Sequence, residues 1–255
     1  MTQGDETLFW LVVALLATVV MFGTVCSYLL ARHLWQRRRE KVEPVFFFHP
    51  FKSATASFPF PGDYPCRWLA IKTRYPAAVL EALPITRATP CSWEEGLART
   101  FDRKLFVSPP INGWILVLGG ALPDPAVDID QCYLFLTNLS RKLGHVQFFN
   151  MNRTLQHHAW AMVDKGQVLR AYAWSGQTVW NEGQMTPAEL DLELACYDYG
   201  ESPRPRRDRQ NPLAATTERV PLLAARWGMD PAALSRCLTE DRVGLAGELR
   251  LFNQD

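Results

Sequence analysis

Hydrophobic and polar positions fall into three regimes along the chain. From Leu8 to Ala31, 24 consecutive residues carry no formal charge. Wound as a helix at about 1.5 Å per residue they reach about 36 Å, more than a hydrocarbon core of about 30 Å. A secretory signal peptide has a basic start and an apolar stretch of about 7 to 15 residues. This chain opens instead on Asp5 and Glu6 and its apolar run is longer, so the pattern predicts a retained transmembrane helix over 8–31. Arg32, Arg37, Arg38, Arg39 and Lys41 follow at once, and no basic side chain precedes the run. Basic flanks stay on the cytoplasmic side. The expected topology is a short extracytoplasmic N-terminus over 1–7, a basic flank on the inner membrane surface, and a cytoplasmic body in a single-pass cell-membrane protein.

The second regime, 32–65, joins that flank to a segment in which prolines alternate with Phe46, Phe47, Phe48, Phe51, Phe58 and Phe60. Proline breaks helices and phenylalanine resists water. An extended arm is expected, lying on the domain's own surface or on the bilayer interface.

The third regime, 66–199, alternates helical and strand-like periods and predicts an α+β domain with a mixed, mainly antiparallel sheet. Arg67 to Thr73 reads as a strand and Pro76 to Leu83 as a short helix. Ser92-Trp93-Glu94-Glu95 reads as a capping box for a helix to about Arg103. Lys104 to Val107 and Trp114 to Leu118 are expected to pair as a hairpin around Asn112-Gly113, a dipeptide that tolerates positive φ. Asp128 is the N-cap of the strongest helix, which carries Ile129, Cys132, Tyr133, Phe135, Leu136, Leu139 and Leu143 at three- and four-residue spacings and stops at Gly144. His145 to Met151 is the next strand. Thr186-Pro187-Ala188-Glu189 opens a helix expected to reach about Tyr197. Residues 200–212 form a Pro/Arg-rich loop, and 213–255 a C-terminal helical hairpin packed on the main domain, with helices over about 217–227 and 230–238.

Composition narrows the function classes without choosing among them. The net charge of +1 splits into an excess of two basic residues in 1–41 and one acidic residue beyond, so the body has no global attraction for nucleic acid. Cys66, Cys91, Cys132, Cys196 and Cys237 are scattered with no C-x-x-C pair, the usage of reduced thiols rather than a disulfide framework. The nucleophile elbow, H-E-x-x-H and phosphate-loop motifs are missing from the sequence. Gly119-Gly120 lacks the third glycine of a dinucleotide loop and reads as a tight turn. No cofactor or metal site is expected.

His157-His158 suggests a metal pair, but neighbours on a strand point to opposite faces. A three-residue turn at Asp164-Lys165-Gly166 would place Val163 opposite Gln167, Ala161 opposite Leu169 and Ala159 opposite Ala171, a small apolar face suited to a close helix. The other face then holds Met162 opposite Val168, Trp160 opposite Arg170 and His158 opposite Tyr172, with Trp174 next. His158, Trp160, Arg170, Tyr172 and Trp174 are either a packing layer beneath a helix or a ligand or partner platform. Trp180, Asn181 and Glu182 follow and are candidates to border a pocket.

Leu223 to Leu238, with Ala224, Gly228, Leu234 and Leu238 at their spacing, resembles a bacterial helix-turn-helix. The resemblance covers about 20 residues and implies DNA contacts from the start of the second helix. That start is Asp230, Pro231, Ala232 and Ala233, which leaves Ser235 and Arg236 as the polar contacts. The leading expectation is a membrane-anchored, non-catalytic protein whose partners are the bilayer and another protein or small ligand, nucleic acid not being among them. The two rivals are an enzyme with a dispersed Cys/His site and an anchored helix-turn-helix regulator.

Overall fold

Residues 66–100, 104–201, 211–228 and 243–249 are described by the computed structural model. The expected membrane helix, basic flank and Phe/Pro arm lie outside them, as does the second helix of the C-terminal pair. Among the described residues no helix is long and apolar enough to cross a membrane.

Nine strands form from these residues: β1 (Cys66–Ile71), β2 (Ile85–Cys91), β3 (Lys104–Val107), β4 (Ile115–Leu118), β5 (His145–Asn152), β6 (His157–Asp164), β7 (Gln167–Trp174), β8 (Thr178–Glu182) and β9 (Gly244–Leu249). The five helices are α1 (Pro76–Ala82), α2 (Trp93–Arg99), α3 (Ile129–Leu143), α4 (Pro187–Asp191) and α5 (Pro212–Trp227). All strands join one open sheet in the order β2, β9, β3, β4, β1, β5, β6, β7, β8, every pairing antiparallel. The fold is α+β.

Local chemistry accounts for most boundaries. Asp128 accepts a hydrogen bond from Gln131 N at the start of α3, and Gly144 ends that helix at φ 80°. Ser92 and Glu95 close a reciprocal capping box on α2, and Thr186 and Glu189 close one on α4. Asn112 and Gly113 both have positive φ, and Phe106 and Val107 pair with Leu118 and Val117 as the hairpin requires.

The middle strands bury both faces. One face presents Leu69, Ile71, Val146, Phe148, Ala159, Ala161, Val163, Ala171 and Ala173 to α3, whose Cys132, Leu136 and Leu139 complete a wholly apolar cluster with α1. The small residues at 159, 161, 171 and 173 let the helix approach closely, as the alternation predicts. The opposite face carries Trp68, Phe149, His158, Trp160, Arg170 and Tyr172, all buried. There α5 turns Val220, Leu223, Ala224 and Trp227 inward.

Four expectations need correction. The 213–255 region is not purely a helical hairpin: α5 begins at Pro212, and β9 inserts into the sheet between β2 and β3. β2 and β8 add two strands that the periodicity does not signal, because β2 is short of apolar alternation and interrupted by Pro90. The helix from Thr186 ends at Asp191 rather than near Tyr197. Glu193 takes φ 47°, Leu194 N closes back on Glu189 O at 3.0 Å, and two amides further on bond to side chains: Ala195 N donates to Thr216 Oγ1 at 2.9 Å and Tyr197 N to Tyr172 Oη at 3.0 Å. Those partners outcompete another helical turn.

The fourth correction concerns the β6–β7 register. The turn has two residues, Lys165 at φ 48° and Gly166 at φ 81°, with Asp164 opposite Gln167. A two-residue turn alone would exchange the faces of β7. Leu169 is then an extra residue, a bulge that shifts the pairing to Met162 with Arg170, Ala161 with Ala171, Trp160 with Tyr172 and His158 with Trp174. The bulge restores the expected faces with partners displaced by two, except that Val168 joins the α3 side.

Candidate functional site

Alternation along β6 and β7, corrected by the bulge, delivers His158, Trp160, Arg170, Tyr172 and Trp174 to one face. All five are buried beneath α4, α5 and the segment 192–199 that joins them to the sheet. They are a packing layer, not an open platform. His158, Trp160 and Tyr172 form a mutual cluster, with ring centroids 5.7 Å apart for His158 and Trp160, 5.1 Å for Trp160 and Tyr172 and 6.1 Å for His158 and Tyr172, and Trp174 packs on Tyr197 at 5.4 Å.

The charge in this layer is met by a residue that periodicity assigns only to a helix cap. Glu189 is fully buried. Its Oε2 accepts from Thr186 N at 2.7 Å in the capping box, while its Oε1 accepts from Trp160 Nε1 and from Arg170 Nε, each at 2.8 Å. Arg170 spends its remaining donors on Ala171 O, Asn181 Oδ1, Glu182 O and Gly183 O, and through Nη2 on Cys196 Sγ at 3.6 Å. Such a pair is tolerable in a dry interior because each guanidinium nitrogen and each carboxylate oxygen has at least one partner. The sequence signal was present in Thr186-x-x-Glu189, but nothing local says that the second carboxylate oxygen reaches the sheet.

His158 meets α5 through one ring nitrogen. Thr217 donates its hydroxyl proton to Leu213 O at 2.9 Å, so at His158 Nδ1, 2.9 Å away, it accepts. Nε2 then carries a buried lone pair with no partner. Burial, with a smaller push from His157, brings the pKa of His158 down to about 3. Tyr172 is pushed up to about 12, chiefly by burial, and its hydroxyl accepts from Tyr197 N. Cys196 is also pushed up to about 12 by burial and then by Glu189. The layer therefore holds a neutral imidazole, a phenol, a thiol and a compensated ion pair near neutral pH.

The other candidates are dispersed. Trp180 lies on the α3 side, near Tyr133, whereas Asn181 faces Arg170, so the two do not border one pocket. His145 bonds Gln147 Nε2 at 3.1 Å and approaches Asp164; burial lowers its pKa even though Asp164 pulls it up. Cys132, in the apolar core, is pushed up to about 12 by burial first and Asp124 second. Among the described residues neither His145 nor His158 contacts a cysteine, and no three His, Cys, Asp or Glu converge as a metal site. In the helix-turn-helix-like stretch, Leu223, Ala224 and Trp227 are buried against the sheet; residues 229–238 lie outside the described residues. No family model matches the chain, and no curated protein or solved structure gives a significant match.

Proposed function

We propose that this chain is a single-pass membrane protein of bacterial type whose cytoplasmic α+β domain binds another protein or a small ligand at the membrane and is not itself a catalyst. The observation that carries the reading is the uncharged run Leu8 to Ala31 with Arg32, Arg37, Arg38, Arg39 and Lys41 on one side only. The buried aromatic layer supports a binding role for the outer surface. Its polar groups fasten α4, α5 and the 192–199 segment, so that face presents helix exteriors, where Leu190 and Leu222 are exposed.

The test uses the full chain in cells. Alkaline carbonate should leave it in the membrane pellet. Glu201, exposed on the domain surface, is replaced in a Glu201→Cys variant and treated with an impermeant maleimide. Labelling above the wild-type background is expected only after permeabilisation. Release by carbonate, or labelling of intact cells, would overturn the anchor or its orientation respectively.

A further inference from the structure

Strand β9 arrives last in the sequence yet fills an interior place in the sheet, with β2 on one side and β3 on the other. Among the described strands β2 pairs with β9 alone, so β9 both closes the edge of β3 and holds β2 in the sheet. Within β9, Gly244, Ala246 and Gly247 are buried, Leu245 and Leu249 are half-buried against the core, and Glu248 is exposed. Backbone ladders to two neighbours add to that packing.

The slot is selective. A Cβ at Gly247 would meet Ile85 Cγ2 at 2.5 Å and Thr86 O at 2.8 Å; one at Gly244 would run into the Phe106 ring and lie 2.8 Å from Val107 O. The occupant must be an extended segment with glycine at the first and fourth positions, and Gly244-Leu245-Ala246-Gly247 is that segment in every copy of the chain. Residues 229–242 connect it to α5. Their contour, at about 3.3 to 3.6 Å per residue, is at most about 50 Å, enough to reach a neighbouring molecule.

We propose that β9 is an exchangeable strand and that the slot between β2 and β3 accepts Gly244–Leu249 of a second copy, reciprocally, to give a strand-swapped dimer. Exchange preserves every ladder bond and both glycine contacts, so the equilibrium between the closed monomer and the dimer is set by local concentration. The inference does not depend on the membrane reading, although copies sharing one bilayer would favour it.

Thr86 and Glu248 are directly opposed across β2 and β9, a separation of about 4.5 to 5.5 Å that suits a disulfide. Two differently tagged full-length copies, one Thr86→Cys and the other Glu248→Cys, are co-expressed and mildly oxidised in intact cells. The expected result is a reducible band carrying both tags, at least tenfold stronger than with either substitution alone. Adding Gly247→Val to the Glu248→Cys copy should abolish it. If that variant is not recovered, Glu201→Cys replaces Glu248→Cys as the mismatched partner and should give no band. Absence of the two-tag band overturns the proposal, whether or not a Thr86→Cys/Glu248→Cys chain closes on itself. A band that survives Gly247→Val, or one of equal strength with Glu201→Cys, also overturns it.

Discussion

The two faces of β6 and β7 are built from the same strands and covered in opposite ways. Toward α3 they offer Ala159, Ala161, Ala171 and Ala173 to Cys132, Leu136 and Leu139, with the ion pair on the other side of the sheet. Toward α4 and α5 they offer three aromatic rings, an imidazole and a guanidinium, with hydrogen bonds at Trp160 Nε1, Tyr172 Oη, His158 Nδ1 and the Arg170 guanidinium and none at the buried His158 Nε2. The first face depends on shape alone. The second depends on shape and on a set of partners drawn from β6, β7, β8, α4, α5 and the 192–199 segment. Removal of one partner should therefore cost more there than removal of similar volume on the alanine side.

The largest expected effect is loss of the cover. Ending the chain after Gly200 removes α5 and β9, and with them Val220, Leu223, Ala224 and Trp227 from above the aromatic layer. In detergent, a chain of residues 1–200 should aggregate and lose its near-UV circular dichroism, whereas a native-like spectrum in a monodisperse species would show that the layer is stable uncovered.

Next comes Glu189→Ala. It leaves Arg170 and Trp160 Nε1 buried without their acceptor, and breaking a buried ion pair from one side costs about 3 to 5 kcal/mol. The urea midpoint should fall accordingly. The double replacement Glu189→Leu with Arg170→Met should recover most of the loss, because well-packed apolar substitutes for a buried pair are often neutral or better. Equal loss in the single and double variants would mean that the bonds to Asn181, Glu182 and Gly183, not the ion pair, carry the stability.

On the alanine side, Ala161→Leu tests shape alone. Ala161 is fully buried at the α3 contact, and overpacking of this kind costs about 1 to 3 kcal/mol. A loss below that range would show that α3 moves away freely and that the small face is not a tight seat.

How much of this contrast was legible follows from which signals are periodic. The side of each residue in His157–Asp164 and in 170–174 was readable because side chains alternate along a regular strand, whereas that of the residues before the bulge was not. The partners were not, because the turn length and the Leu169 bulge are two errors of one residue that cancel in face and add in register. The α3 cap and stop were readable from Asp128 and Gly144, whose chemistry is local. Glu189 was readable as a cap and unreadable as the counter-ion of Arg170, since that contact joins residues whose meeting depends on where α4 lands. β9 was unreadable for a related reason: Gly244-Leu245-Ala246-Gly247 has neither alternation nor bulk, and becomes a strand through ladders to β2 and β3, which are distant in sequence.

The smallest effect separates the two faces by pH, since only the aromatic face buries an unpartnered imidazole nitrogen. His158 has a folded pKa of about 3 against an ordinary value of 6.5. Between those values the unfolded chain binds a proton at this residue and the folded chain does not, so its contribution is present in full above pH 6.5 and is lost as pH falls toward 3. Well inside that window one proton gives a slope of about 1.4 kcal/mol per pH unit. Urea unfolding at pH 7.0 and 5.5 should therefore show a loss at the lower pH that His158→Phe reduces by about 1 kcal/mol. His145, whose pKa is also lowered by burial, leaves a residual slope in that variant. An unchanged slope in His158→Phe would mean that the folded protein admits the proton at His158, and that the layer over β6 opens far more readily than its packing implies.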